Sequence, residues 1–340
     1  MNSSAWHAPA AAAAAFSVSC ACARILVALA PRLGYVDHPG GRKNHAASTP
    51  LLGGVAVLCG GCAGTALLAV WNLAPHRILA VWAVASGAAV ALGLMDDRWP
   101  LRPLPKLMGL VCAAGLPALA ALVLCRAPLM AAATMACALL FFSNAFNLLD
   151  NSDGLCASAG AATLAMLAPC GGGRLALVAA AAAAGFLVWN WPRARIFLGD
   201  TGSLLIGAWC VLAALAPGPT GCIGHMLPLA AFWVPVYDTL SVTVVRMREG
   251  RSVLQGGQDH LSHRLIRRGM TTAGVDRLLA GASVVAGMLA LIVPLEWQPL
   301  ALLALVGAAA VLEAVIPRTP QGASAMHGQT DRRSGPARTG

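Results

Sequence analysis

Ile78-Leu-Ala-Val-Trp-Ala-Val-Ala-Ser-Gly-Ala-Ala-Val-Ala-Leu-Gly-Leu-Met95, closed at once by Asp96-Asp97-Arg98, is the stretch that decides the fold. No side chain from Ile78 to Met95 carries a charge. A run of about 20 apolar residues crosses the hydrocarbon core of a bilayer as a helix, which satisfies its own backbone donors and acceptors. The same pattern recurs along the chain. Eleven spans are expected, at approximately 10–30, 51–71, 78–95, 107–124, 129–148, 155–170, 175–190, 203–217, 222–244, 278–294 and 298–316. The first has no Lys or Arg ahead of it from Met1 to Pro9, unlike a secretory signal, and is read as a retained helix.

Composition agrees with the pattern. With 58% hydrophobic and 11% charged residues and a mean hydropathy of +0.73, the chain is too apolar for one soluble domain. Its net charge of +10 raises the question of nucleic acid. The distribution of that charge answers it. If the loop 31–50 is cytoplasmic, Arg32, Arg42, Lys43, Arg98, Arg102, Lys106, Arg193, Arg195, the arginines from Arg246 to Arg277 and the tail arginines share one side. Only Arg77, Arg126 and Arg174 fall on the other. That asymmetry is the positive-inside rule, not a nucleic-acid patch. The expected fold is therefore all-α: a polytopic transmembrane bundle of about eleven spans, N-terminus outside and C-terminus cytoplasmic. The membrane domain is expected over 10–317, with 318–340 as a disordered cytoplasmic tail. Eleven cysteines include Cys59-Gly-Gly-Cys62. Lying within a span, that pair reads as small helix-packing residues, not a metal or redox site.

The acidic residues carry the functional signal. Asp37, Asp96, Asp97, Asp150, Asp153, Asp200, Glu249, Asp259 and Asp276 fall on the presumed cytoplasmic side, with Asp238 inside a span. Carboxylates gathered at a membrane boundary repel one another unless a cation or basic groups compensate. The chain has just two lysines, Lys43 and Lys106, both close in sequence to these acids. A compact ammonium meets a phosphate differently from a guanidinium fork.

Four segments frame the chemistry, and a fifth follows in a longer loop. They are Asp37-His-Pro-Gly-Gly-Arg-Lys43-Asn-His45; Met95-Asp96-Asp97-Arg98, leading to Lys106; Asn144-Ala-Phe-Asn147-Leu-Leu-Asp150-Asn-Ser-Asp153-Gly154; Phe197-Leu-Gly-Asp200-Thr-Gly-Ser203; and Asp259-His260-Leu-Ser-His263-Arg264-Leu265. In this order, they resemble the polyprenyl-phosphate N-acetylhexosamine-1-phosphate transferases. That family includes the phospho-MurNAc-pentapeptide translocase and the UDP-GlcNAc:undecaprenyl-phosphate GlcNAc-1-phosphate transferase. The match runs from about Asp37 to Leu265. Ser262 stands where the family often has the middle histidine of His-x-His-His.

The resemblance implies an enzyme of the bacterial plasma membrane with its active site on the cytoplasmic face. It implies transfer of a sugar 1-phosphate from a UDP-N-acetylhexosamine to undecaprenyl phosphate, with release of UMP, in cell-envelope polysaccharide assembly. Mg2+, with Mn2+ as a substitute, would offset charge on the pyrophosphate. By resemblance Asp200 is the metal ligand, joined by Asn147. Asp96, Asp97 and Lys106 are the catalytic candidates, the aspartates facing the reacting phosphate. Lys43, His45, Asn144, Asp150, Asp153, His260, His263 and Arg264 are the candidates for substrate binding. Direct attack by the lipid phosphate is favoured, with a covalent intermediate as the alternative. The late His-containing loop favours GlcNAc over the MurNAc-pentapeptide donor. The bilayer is the one macromolecular partner expected beside a homodimer, and nucleic acid is not. A secondary transporter is the competing class, but transporter carboxylates sit near the bilayer midplane. Asp238, within a span after Pro235, stays open between a polar contact and a ligand.

Overall fold

The computed structural model describes residues 6–37, 48–216, 232–252, 257, 259–293 and 295–315. They form twelve helices: α1 His7–Leu29, α2 Gly53–Val70, α3 His76–Arg98, α4 Pro103–Leu124, α5 Leu129–Leu149, α6 Leu155–Leu167, α7 Gly173–Asn190, α8 Gly199–Leu215, α9 Trp233–Arg248, α10 Leu261–Arg267, α11 Thr272–Ile292 and α12 Gln298–Val315. Helix lies in each of the eleven expected stretches. Seven helices (α1 to α5, α7 and α11) are long and apolar enough to cross a bilayer, by length and composition. The stretch 217–231, which includes the first ten residues of the expected ninth span, lies outside the described residues, as does the tail 318–340. A two-residue ladder joins Val36–Asp37 (β1) to Thr49–Pro50 (β2), antiparallel, the single departure from helix in the expected class among the described residues.

Side-chain placement explains why these are membrane helices. On α4, Leu104, Leu107, Met108, Val111, Leu119 and Val123 are exposed. Their helical spacing lays an apolar stripe on the outside of the bundle, a face suited to lipid and not to water. By contrast, α8 is buried along its length except for Asp200 and the terminal Leu215. It is the central mast, packed by α2, α3, α5, α6 and α7. At 17 residues it needs no polar face, because neighbouring helices cover it on all sides.

Small residues let the mast be approached this closely. A Cβ on Gly93 of α3 would lie 2.3 Å from Thr201 Cα, and one on Gly54 of α2 would lie 2.2 Å from the Gly202 nitrogen. Close backbone contact through glycine is a common way for apolar helices to associate where no hydrophobic driving force separates them from lipid. Here it brings the ends of α2 and α3 against the first turn of α8, the turn that carries Asp200.

Candidate active site

The polar ends of the helices meet at one end of the bundle. The C-terminus of α3 brings Asp96 and Asp97, α4 brings Lys106 near its start, α5 brings Asn147 with Asp150 just beyond it, and α8 opens with Asp200. Around them lies a cleft of about 660 Å³. Asp37, Asp96, Asp97, Lys106, Asp150 and Asp153 line it, and so do Asp200 and His263. Sites assembled from helix ends place charged groups at the membrane boundary, where desolvation is least costly.

Lys106 is the centre of the polar network. Its Nζ donates to Asp200 Oδ2 at 2.6 Å and Asn147 Oδ1 at 2.9 Å, and lies 2.8 Å from Asp96 Oδ2. Asn147 Nδ2 in turn donates to Asp200 Oδ1 at 2.7 Å and to Ser203 Oγ at 3.0 Å. Asp96 is also held by the Leu101 amide, which donates to Oδ1 at 2.7 Å. One ammonium thus bridges oxygens from α3, α5 and α8. It offsets carboxylates that would otherwise repel.

Asp97 turns the other way, as neighbours about 100° apart on a helix must. Its carboxylate accepts from the Asp200 amide at 2.8 Å, the Thr201 amide at 3.1 Å and the Thr201 hydroxyl at 2.6 Å.

The turn after α5 is built on paired contacts. Gly154 adopts φ +78°, a conformation natural to glycine, and its amide donates to Asn190 Oδ1 at 2.9 Å. Asn190, buried at the end of α7, donates onward to the Ile196 carbonyl at 2.9 Å. Asp153 accepts from the Ala194 amide at 3.0 Å. Ser152 donates to Asp276 of α11 at 3.3 Å, and the Ser262 hydroxyl donates to Asn151 Oδ1. Burial, then the nearby carboxylates of Asp200, Asp97 and Asp153, push Asp150 well above the usual carboxylate range.

On the far wall, Asp238 is a buried polar contact: it accepts the Leu261 amide at 2.7 Å and pairs with His260 Nδ1 at 2.8 Å. These contacts anchor the start of α10. The same helix directs His263 to the cleft, while Arg264 donates to Ser241 Oγ at 2.7 Å on α9. Burial, followed by His260 and Arg267, pushes His263 below the ordinary histidine range. Asp259 is held down to about 2 by hydrogen bonds from Arg251 and Arg246.

Most residues singled out in the sequence converge, and some do not. Asp96, Asp97, Lys106, Asp150, Asp153, Asp200 and His263 line the cleft, and Asn147 joins through Lys106 and Asp200. Asn144, His260 and Arg264 are not among the lining residues. His260 is buried against Asp238, and Arg264 turns to α9. Lys43 and His45 lie outside the described residues. Sequence reasoning overlooked Asn190 and Thr201. Asn190, a buried amide between Trp189 and Trp191 at the end of an apolar run, is the signal that could have been read.

Asp200 and Asn147 offer the hard oxygen donors that magnesium prefers. Among the described residues no three His, Cys, Asp or Glu side chains form a metal cage.

One end of an apolar helical bundle thus gathers carboxylates, a lysine and an asparagine around an open cleft. The chain belongs to glycosyl transferase family 4, whose family model matches residues 79–217. A putative glycosyltransferase of Streptomyces coelicolor is 38% identical over 306 residues, covering 82% of this chain and 69% of the relative. The decaprenyl-phosphate N-acetylglucosaminephosphotransferase of Mycobacterium tuberculosis is 32% identical over 297 residues, 71% of each chain. The undecaprenyl-phosphate alpha-N-acetylglucosaminyl 1-phosphate transferase of Yersinia pestis is 30% identical over 312 residues, 81% of this chain and 82% of the relative.

Proposed function

We propose that the protein transfers GlcNAc 1-phosphate from UDP-GlcNAc to a polyprenyl phosphate, releasing UMP. The observation that carries this reading is the Lys106 ammonium, held between Asp96, Asn147 and Asp200 in an open cleft. Two anionic phosphates must be brought together, and such chemistry is mostly a matter of positioning and charge compensation. The M. tuberculosis and Y. pestis relatives, by their names, act on N-acetylglucosamine phosphate and a polyprenyl phosphate.

In this reading an oxygen of the lipid phosphate attacks the sugar-bearing phosphorus. The bond between that phosphorus and the oxygen bridging to the nucleoside phosphate breaks, and UMP departs with the oxygen. Lys106 stabilises charge as it develops on the phosphoryl oxygens. Asp96, beside it, orients the lipid phosphate and accepts its remaining proton. His263, from the opposite wall, donates to the nucleotide phosphates. Asp150 and Asp153 hold the floor of the nucleotide region. Asp200 and Asn147 would hold Mg2+, which supplies Lewis-acid stabilisation of the pyrophosphate when bound.

The cleft is read as cytoplasmic from the charge distribution. Asp96 and Arg77 stand at opposite ends of α3, and the cleft shares its end with Arg98, Arg102 and the arginines of α9 and α10. Purified protein given UDP-GlcNAc, polyprenyl phosphate and magnesium should release UMP and form the lipid-linked sugar. No release with any UDP-N-acetylhexosamine would overturn the reading. Preferential turnover of UDP-MurNAc-pentapeptide would overturn the choice of sugar.

A further inference from the structure

Helix α8 begins without a cap of its own. Its N-cap position is Leu198, an apolar residue that makes no side-chain capping bond. The first turn of a helix leaves backbone N–H groups unsatisfied, and a capping side chain ordinarily serves the second and third of them. With Gly199 as the first residue of α8, those two are the amides of Asp200 and Thr201. Both are met by Asp97, which reaches across from the last turn of α3. The Thr201 hydroxyl adds a third bond to the same carboxylate.

The surroundings are shaped to admit it. Gly199 sits at φ +72°, and a Cβ there would fall 2.7 Å from Asp97 Oδ2. Gly93, one turn before Asp97 on α3, is in backbone contact with Thr201. Gly54 donates its amide to the Leu198 carbonyl at 2.9 Å, fixing the chain just before the helix. An acidic side chain at this end also opposes the partial positive charge of the helix N-terminus.

We infer that Asp97 is a positioning residue: a cap supplied from α3 that fixes the backbone of Asp200, and with it the direction in which Asp200 meets Lys106 and Asn147. The two adjacent aspartates divide the work. Asp96 faces Lys106, whereas both oxygens of Asp97 are engaged by α8. The consequence for turnover rests on the proposed transferase reading, but the capping role does not.

The experiment compares Asp97→Asn, Asp97→Ala and Thr201→Val. Asparagine caps helices about as well as aspartate, whereas alanine cannot cap. If Asp97 positions Asp200, Asp97→Asn keeps UMP release within about tenfold of the unsubstituted protein, because one accepting oxygen remains. Asp97→Ala loses more than about tenfold, because it orphans buried donors. Thr201→Val, which leaves the carboxylate intact, lowers turnover several-fold, and its effect is not additive with Asp97→Ala. Hydrogen exchange of the first turn of α8 reads the cap directly. The Asp200 and Thr201 amides both exchange faster in Asp97→Ala, whereas one of the two remains protected in Asp97→Asn, whose single side-chain oxygen can still accept. That arm needs no substrate, so it stands even if the transferase reading fails. Asp97→Asn as inactive as Asp97→Ala, with amide protection unchanged in both and Thr201→Val indistinguishable from the unsubstituted protein, would overturn the inference and return Asp97 to a chemical role.

Discussion

The Lys106 ammonium lies 2.6 Å from Asp200 Oδ2, a contact between residues 94 apart in sequence. It joins the start of α4 to the start of α8, and with Asp96 and Asn147 it places the cation amid the oxygens of three other helices. Lys106→Met leaves the Asp96 and Asp200 carboxylates facing one another with no counter-charge between them. Loss of a group that compensates developing charge should cost about 10²–10³ in turnover. Lys106→Arg should restore little, since a planar fork does not reproduce a point charge shared among converging oxygens. Initial rates of UMP release check this, with insertion confirmed from membrane fractions. Full activity of Lys106→Met would remove Lys106 from the chemistry.

Asp200→Asn keeps the shape of the side chain and removes its charge. The expected result is a weaker response to magnesium: half-activation moves to higher metal concentration, and turnover at saturation falls by at least about tenfold. Membrane insertion is unaffected, because the substitution lies at the cleft end of the mast, outside its fully buried apolar length. A magnesium titration identical to that of the unsubstituted protein would take Asp200 out of the metal site.

Gly93→Ala tests the packing that delivers Asp200 to the cleft. The added carbon would lie 2.3 Å from Thr201 Cα and 2.4 Å from its nitrogen, so backbone must move. Overpacking of this kind costs about 1–3 kcal/mol. Both the thermal midpoint in detergent and UMP release should fall. Gly87→Ala is the matched control on the same helix, with nothing within 4 Å of the new carbon. It should leave both measurements near their starting values, with slight stabilisation from improved helix propensity. Equal losses in the two variants would show that the α3–α8 contact has no special role.

Much of this is legible in the amino-acid sequence. Charge-poor runs such as Ile78–Met95 mark helices by length alone, since a bilayer permits few other solutions. Charge closing those runs, as Asp96-Asp97-Arg98 closes α3, puts the polar groups at helix ends. The order of the motifs then named the cleft residues, including Asp150, Asp153 and Asp200. The division of the Asp96-Asp97 pair was not legible, because it depends on which helix stands beside each face. Nor was the place of His260: its spacing from His263 suggests a shared face, yet Asp238, 22 residues earlier, takes its ring nitrogen. Thr201 was missed because its hydroxyl serves a carboxylate on another helix, a pairing that leaves no pattern in the sequence.

His263 gives the protein a pH dependence whose sign can be worked out. Burial, with His260 and Arg267 close by, holds its folded-state pKa below the ordinary value; Asp238 and Asp259 pull weakly the other way. Below the unfolded value of about 6.5 the folded protein therefore binds fewer protons than the unfolded chain. The stability contributed by neutral His263 is full above that pH and is lost as pH falls through the depressed folded-state value. An anionic nucleotide in the cleft acts in the opposite direction, because it favours the imidazolium. Binding of UDP-GlcNAc should thus take up protons, and its KM should fall as pH is lowered from 8 toward 6, about threefold or more, as a partial charge-assisted bond forms. In His263→Gln that slope should flatten, while the thermal midpoint becomes less sensitive to acid over the same interval. KM profiles and thermal midpoints measured together distinguish this from a general acid effect on the fold. An unchanged KM slope in His263→Gln would show that another group takes up the proton.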